Sequence, residues 1–226
     1  MALLQSRVAN LFLVLVVVGT VGCAAKAKLR VADGTGPQPV LPQPDRSLVP
    51  RIDVVDAKGW PPDAAPTPAQ GLTVTAFARG LDHPRWLYVL PNGDVLVAET
   101  NAPPRPEDGK GLKGWFFKRY QKKAGGAVPG ANRITLLRDT DGDGVAETRS
   151  VLLSNLNSPF GMTLVGDELY IANTDGVVRV PYKPGQTAIS ETPAMLTRLP
   201  GGDLNHHWTK NVVASADGSK LYVSVG

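Results

Sequence analysis

From Gly71 onward the chain reads as a string of short apolar runs cut by turn residues, with little that would make a helix. The stretch LTVTAFA (residues 72–78) alternates apolar and polar positions, the period of a half-buried strand. A longer unit then recurs. HPRWLYVLPNGDVLVAET (residues 83–100) carries a Pro, an apolar run, a turn and a second apolar run; SPFGMTLVGDELYIANT (158–174) and HWTKNVVASADGSKLYVSVG (207–226) repeat it. The turns PNGD, VGDE and ADGS each place Asn, Asp or Gly where a tight hairpin needs positive φ.

Superimposing VLVAET, LYIANT and LYVSVG puts the units 74 and then 52 residues apart. An insertion at residues 101–131, expected between the first two units, accounts for the longer gap. Without it the spacing approaches about 45–50 residues, the length of one four-stranded propeller blade. The expectation is an all-β fold, a β-propeller of which residues 71–226 supply the first two to three blades. Propellers close with about four to eight blades, so the chain is expected to be the front part of a longer protein.

The first 70 residues follow another logic. Arg7 precedes the apolar run LFLVLVVV, which ends in small residues and Cys23. That describes an export signal over residues 1–22, whose apolar run, Leu11 to Val18, is far shorter than the roughly 20 residues a bilayer span requires. TVGC resembles a bacterial lipobox, departing from it at Thr20 where Leu is usual. Cys23 is the sole cysteine; it excludes an intrachain disulfide and is the expected lipidation site. Residues 23–70 hold nine of the 20 prolines and no sustained period, which predicts an extended tether, with RIDVVDAKGW the piece best suited to pack on the domain. The expected location is the periplasmic face of a bacterial membrane, reached through the lipid anchor. A net charge of +4 over the whole chain is too small an excess for nucleic acid, and no recognition motif for it is present.

Three constellations could carry chemistry. Asp139, Asp141 and Asp143 alternate and are followed by Gly144, the opening of a calcium loop of the EF-hand type. The match fails at the twelfth position, Ser150, and Glu147 stands at the ninth; an acidic hairpin turn between two strands is the plainer reading. In the insertion, six basic residues (Lys110, Lys113, Lys118, Arg119, Lys122, Lys123) surround Trp115, Phe116, Phe117 and Tyr120 without an acid. On a short helix this composition suits a membrane surface, and a solvated cap over the sheets is the alternative. Finally, His206 and His207 stand side by side before an apolar run. Imidazole titrates near neutrality, which makes a rim histidine a candidate base. Neighbouring side chains on a strand face opposite ways, so both could share one pocket only ahead of the strand.

The stretches GLDHPRWLYVLPNGDVLVAETN, ANRITLLRDTDGDG, LNSPFGMTLVGDELYIANTDGVVRVPY and NHHWTKNVVASADGSKLYVSVG together resemble the glucose/sorbosone dehydrogenase family. These are six-bladed β-propeller quinoproteins that use pyrroloquinoline quinone (PQQ). The resemblance covers about residues 70–226. It implies oxidation of a sugar or polyol, with PQQ and Ca²⁺ as cofactors held mostly by residues beyond 226, and an electron acceptor it does not specify. It implies His207 as the catalytic base that takes the proton from the sugar hydroxyl. His206 falls where the best-known members carry an acidic substrate contact, so it is the expected substrate-side residue. On the resemblance alone this stretch of chain would be inactive without the later blades. Two other readings stay open: a non-catalytic propeller that binds a ligand or partner, and a lactonase-type hydrolase with a channel metal, for which Glu99 and Asn173 occupy equivalent strand ends.

Overall fold

The computed structural model describes residues 29–41, 54–62, 64–104, 110–126, 128–202 and 205–226. The signal segment 1–22 and Cys23 lie outside the described residues. The chain divides into two compact units, Met1–Val55 and Asp56–Gly226. Within the first, the described residues form one 3-10 turn, Val31–Gly34, where Arg30 pairs with Asp33 at 2.8 Å.

The second unit is built from antiparallel strands, and the fold is all-β. Strands β1 (Pro84–Val89), β2 (Val95–Glu99), β3 (Arg133–Arg138) and β4 (Thr148–Leu153) form one four-stranded meander in chain order. Strands β5 (Met162–Val165), β6 (Glu168–Asn173), β7 (Gly176–Pro181) and β8 (Ala194–Arg198) form a second, and β9 (Asn211–Ala214) with β10 (Leu221–Ser224) a hairpin. The repeated motif is therefore the first two strands of each sheet. The acidic stretch forms the β3–β4 turn, between two strands as expected.

Each sheet buries one face against the next. Leu96, Ala98, Ile134 and Leu136 of the first sheet meet Met162, Leu169, Ile171 and Val180 of the second in one apolar cluster. Ala172 and Val177 of the second sheet meet Val212 of β9 in another. Alternation along β2, β3, β6 and β7 feeds both faces, which is what period-2 apolar patterning dictates.

The layers are not parallel slabs. Stacked sheets sit roughly 10 Å apart, so the first and third would be separated by about twice that. Yet the Arg85 guanidinium, on β1, lies 5.5 Å from the ring centre of Trp208, just ahead of β9. Between them Phe160 touches both Trp86 (5.1 Å) and Trp208 (6.5 Å, edge-on). The Tyr88 hydroxyl of β1 also accepts the Leu164 amide of β5 at 3.0 Å. The three sheets thus converge at their first strands, as wedges around a common edge do. Away from that edge the loop after β7 bridges outward: Leu152 O accepts from Ile189 N at 2.7 Å, and Ser150 Oγ donates to Thr187 O at 2.8 Å.

One expectation needs correction. Residues 72–78 form no strand; Leu72 and Val74 are exposed. The segment is held beside the first sheet at isolated points only, by Ala146 N donating to Phe77 O (2.8 Å) and Arg149 Nη1 donating to Gly80 O (2.9 Å). Alternation makes a strand only where a free sheet edge accepts a full ladder. The insertion lies between the first two copies of the repeated motif, as expected, and the structure adds its place in the sheet. It joins β2 to β3 inside the first sheet and contains the one α-helix among the described residues, α1 (Gly111–Lys123). Its C-terminal end is tied to the segment that precedes the sheets: Ala57 N donates to Lys123 O at 2.9 Å, and Asp56 lies 3.8 Å from Lys123 Nζ.

Candidate functional site

Because every sheet is an antiparallel meander, the start of its first strand and the end of its second fall on the same rim. Equivalent bonds mark it: Thr100 N donates to His83 O (3.2 Å) in the first sheet, and Thr174 N to Asn157 O (3.0 Å) in the second. In the hairpin this rim carries His206 and His207.

The two histidines lie in a bend ahead of β9, not on it. The alternation of a strand does not apply to them, and both line one cavity of about 400 Å³ together with Pro200, Gly201, Asn205, Val225 and Gly226. Gly226 makes this closeness possible, since a Cβ there would lie 2.9 Å from that of His207. Asn205 is oriented by donating to Thr174 Oγ1 at 2.7 Å. Behind the loop, Lys210 is buried and its Nζ donates to His207 O at 2.9 Å. Lys210 O in turn accepts from Gly161 N at 3.1 Å, joining the loop to the second sheet.

A third histidine was not singled out from the sequence. His83 adopts φ +53°, a conformation few non-glycine residues take. Its Nδ1 lies 2.8 Å from Thr100 O; a carbonyl only accepts, so Nδ1 is the donor. His83 borders a second cavity of about 590 Å³ with Asp82, Arg133 and the loop following α1. The available signal was its place in the repeat, just ahead of the first strand, where the third unit has His207.

Glu99 is fully buried and wholly engaged. Arg133 donates Nε to Oε1 (3.1 Å) and Nη2 to Oε2 (3.0 Å), and the Thr135 hydroxyl and Asp82 amide also donate to it. Burial pushes its carboxyl up, but Arg133, Thr135 and the Asp82 amide outweigh burial and hold it below the usual value. Arg133 reaches Asp82 as well, at 2.7 Å. With both oxygens taken by protein donors, Glu99 does not fit the channel metal that a lactonase-type site would require. Asn173, at the matching strand end, is buried with Oδ1 unpartnered.

The acidic turn forms a tight donor set. Oxygens of Asp139, Asp141, Asp143 and Glu147 lie within 4.8 Å of one another, close enough to share one divalent cation. The turn also organises itself: Asp139 accepts from Gly142 N (2.6 Å) and Gly144 N (2.9 Å), and Glu147 from Thr140 N (2.7 Å). Ser150 lies on β4 with its hydroxyl spent on Thr187 O, outside this set.

No family model matches the chain, and no curated protein does. Among solved structures it is similar to the holo form of the pyranose dehydrogenase PQQ domain from Coprinopsis cinerea. The two are 18% identical with a TM-score of 0.46, over 66% of this chain and 29% of that one. The chain spans less than a third of that domain. A likeness at this level carries no conclusion about activity; the architecture stands on the strand pairing itself.

Proposed function

We propose that this chain forms the substrate-facing part of a six-bladed, quinone-dependent dehydrogenase that oxidises a sugar or polyol. His207 acts as the base for the carbinol proton and His206 contacts the substrate. The observation that carries the reading is the shared cavity ahead of β9, where two imidazoles and a polar amide line one opening with Gly201 and Gly226. The motif resemblance adds the reaction class.

The cofactor fits this part of the chain incompletely. PQQ is a tricarboxylate, and oxidising an alcohol through it requires anchoring those carboxylates. Among the described residues no Arg or Lys lines the cavity, and the nearby Lys210 Nζ is spent on His207 O. The described residues therefore supply the proton-accepting side of the reaction, and no step is assigned through the quinone. A hydroxylated substrate suits the imidazole and amide groups that the described lining offers.

Export and acylation at Cys23 belong to the same proposal, placing the enzyme at the periplasmic face of a membrane. Replacing Cys23 by Ser should abolish incorporation of a labelled fatty acid into the chain.

The decisive assay measures dye-linked oxidation of an aldose and polyol panel by the protein with any further in-frame blades, supplied with PQQ and Ca²⁺. Activity should appear and fall by about 10²-fold or more in His207→Ala, with the circular dichroism spectrum unchanged. An unaltered rate in that variant removes the base assignment. Lactone hydrolysis without PQQ overturns the reaction class.

A further inference from the structure

Helix α1 is an elaboration of the β2–β3 connection, and the oxidation chemistry proposed above does not use it. Its orientation follows from helical spacing. Gly114 is buried and Gln121 half-buried, so the side near these two rests on the protein. At 100° per residue, the opposite side presents Trp115, Phe116, Arg119, Tyr120 and Lys123. The exposures agree: Trp115 is 57% and Phe116 50% accessible, and Phe117 and Tyr120 are exposed as well. Trp115 and Phe116 touch edge-on at 4.8 Å, leaving their remaining ring surface in solvent.

Four exposed aromatics on a 13-residue helix are costly in water unless something receives them. The charge says what. No acid occurs between Lys110 and Arg133, and Lys118, Arg119, Lys122 and Lys123 interleave with the rings. Among the described residues the facing carboxylate is Asp56, 3.8 Å from Lys123 at the helix end. Trp and Tyr favour the headgroup level of a bilayer. Lys and Arg beside them reach anionic headgroups while their methylene stems stay in apolar surroundings.

We propose that α1 docks this chain on the surface of an anionic lipid bilayer, rings inserted at headgroup depth and basic side chains on lipid phosphates and carboxylates. The helix does not span: no helix among the described residues is long and apolar enough to cross a membrane. Docking is independent of the acyl chain expected at Cys23 and of the enzymatic reading.

The test uses the mature chain, residues 23–226 carrying Cys23→Ser, so that neither the apolar signal run nor an acyl group contributes. It is sedimented with vesicles of phosphatidylcholine alone or with phosphatidylserine at about a third of the lipid. Binding should require phosphatidylserine and be lost at about 0.5 M salt, where charges are screened beyond a few ångströms. With each basic residue worth about fivefold in partitioning, the Arg119→Glu/Lys123→Glu pair should weaken binding at least about 20-fold. Trp115→Ala/Phe116→Ala should weaken it while leaving its salt dependence. Circular dichroism of both variants checks folding, and either one alone decides the matter if the other unfolds. Equal binding to both vesicle types, or undiminished binding in a folded variant, overturns the proposal. Self-association of the chain that both pairs of substitutions abolish, without vesicle binding, overturns it in favour of a second copy as the occupant.

Discussion

Lys210 donates its Nζ to the carbonyl oxygen of His207 across 2.9 Å, from a position only 1% exposed. The bond fixes the bend that brings both imidazoles to one cavity, while the lysine stem fills space beneath it. Lys210→Met keeps most of that volume and removes the donor. The lost bond and the relieved burial of a polar head largely cancel, so urea unfolding should shift by less than about 1 kcal/mol. Amide exchange over residues 205–208 should quicken by about tenfold or more. Unchanged exchange would show that the loop holds its shape without the lysine.

Glu99 and Arg133 make the opposite case, a pair that stability depends on. Glu99→Gln leaves Arg133 without its bidentate partner in a half-buried setting, and about 3 kcal/mol should be lost at pH 7, read by urea denaturation. The pH profile has a definite sign. The folded carboxyl lies below its ordinary 4.5, so the unfolded chain binds more protons in that range. Its contribution is complete above about 4.5 and fades as pH falls through the lower folded value. Glu99→Gln should flatten that acid limb and leave the neutral limb parallel to the parent's.

At Gly161, just ahead of β5, the second sheet passes close against β9. A Cβ there would lie 2.6 Å from both Asn211 Cα and Val212 N. These are backbone atoms that cannot swing aside, so Gly161→Ala should cost about 3 kcal/mol, the upper end for overpacking. Gly59→Ala is the control, since nothing lies within 4 Å of a Cβ at that position; it should change the urea midpoint little.

Tyr88 reaches from β1 to accept the Leu164 amide of β5. Tyr88→Phe keeps the ring and strands that amide, at a cost of about 1 kcal/mol. Hydrogen exchange should show faster loss at Leu164 before any other position of β5 responds.

The hairpins were legible because their signals are local. PNGD and VGDE fix tight turns, and VLVAE and ELYIAN alternate so as to feed two buried faces. What was not legible depends on partners distant in sequence. LTVTAFA alternates as well as β6 does, yet no edge receives it, because Arg149 and Ala146 hold it only at points. The insertion was seen, but its place inside the first sheet required knowing that RITLLR pairs with VLVAE. His206 and His207 could be named as neighbours; their shared cavity followed from where β9 begins, at Asn211, which apolar pattern alone leaves undecided by several residues. His83 escaped notice since its distinction is a backbone angle and a bond to Thr100 O, neither of which a residue type reveals.

Glu99 satisfies three donor residues from two separate stretches: the Asp82 amide before β1, and Arg133 and Thr135 on β3. Such a set is inherited as a block. Glu99, Arg133 and Thr135 cannot change one at a time without stranding a buried partner, so in diverging descendants these three should vary together or stay as they are.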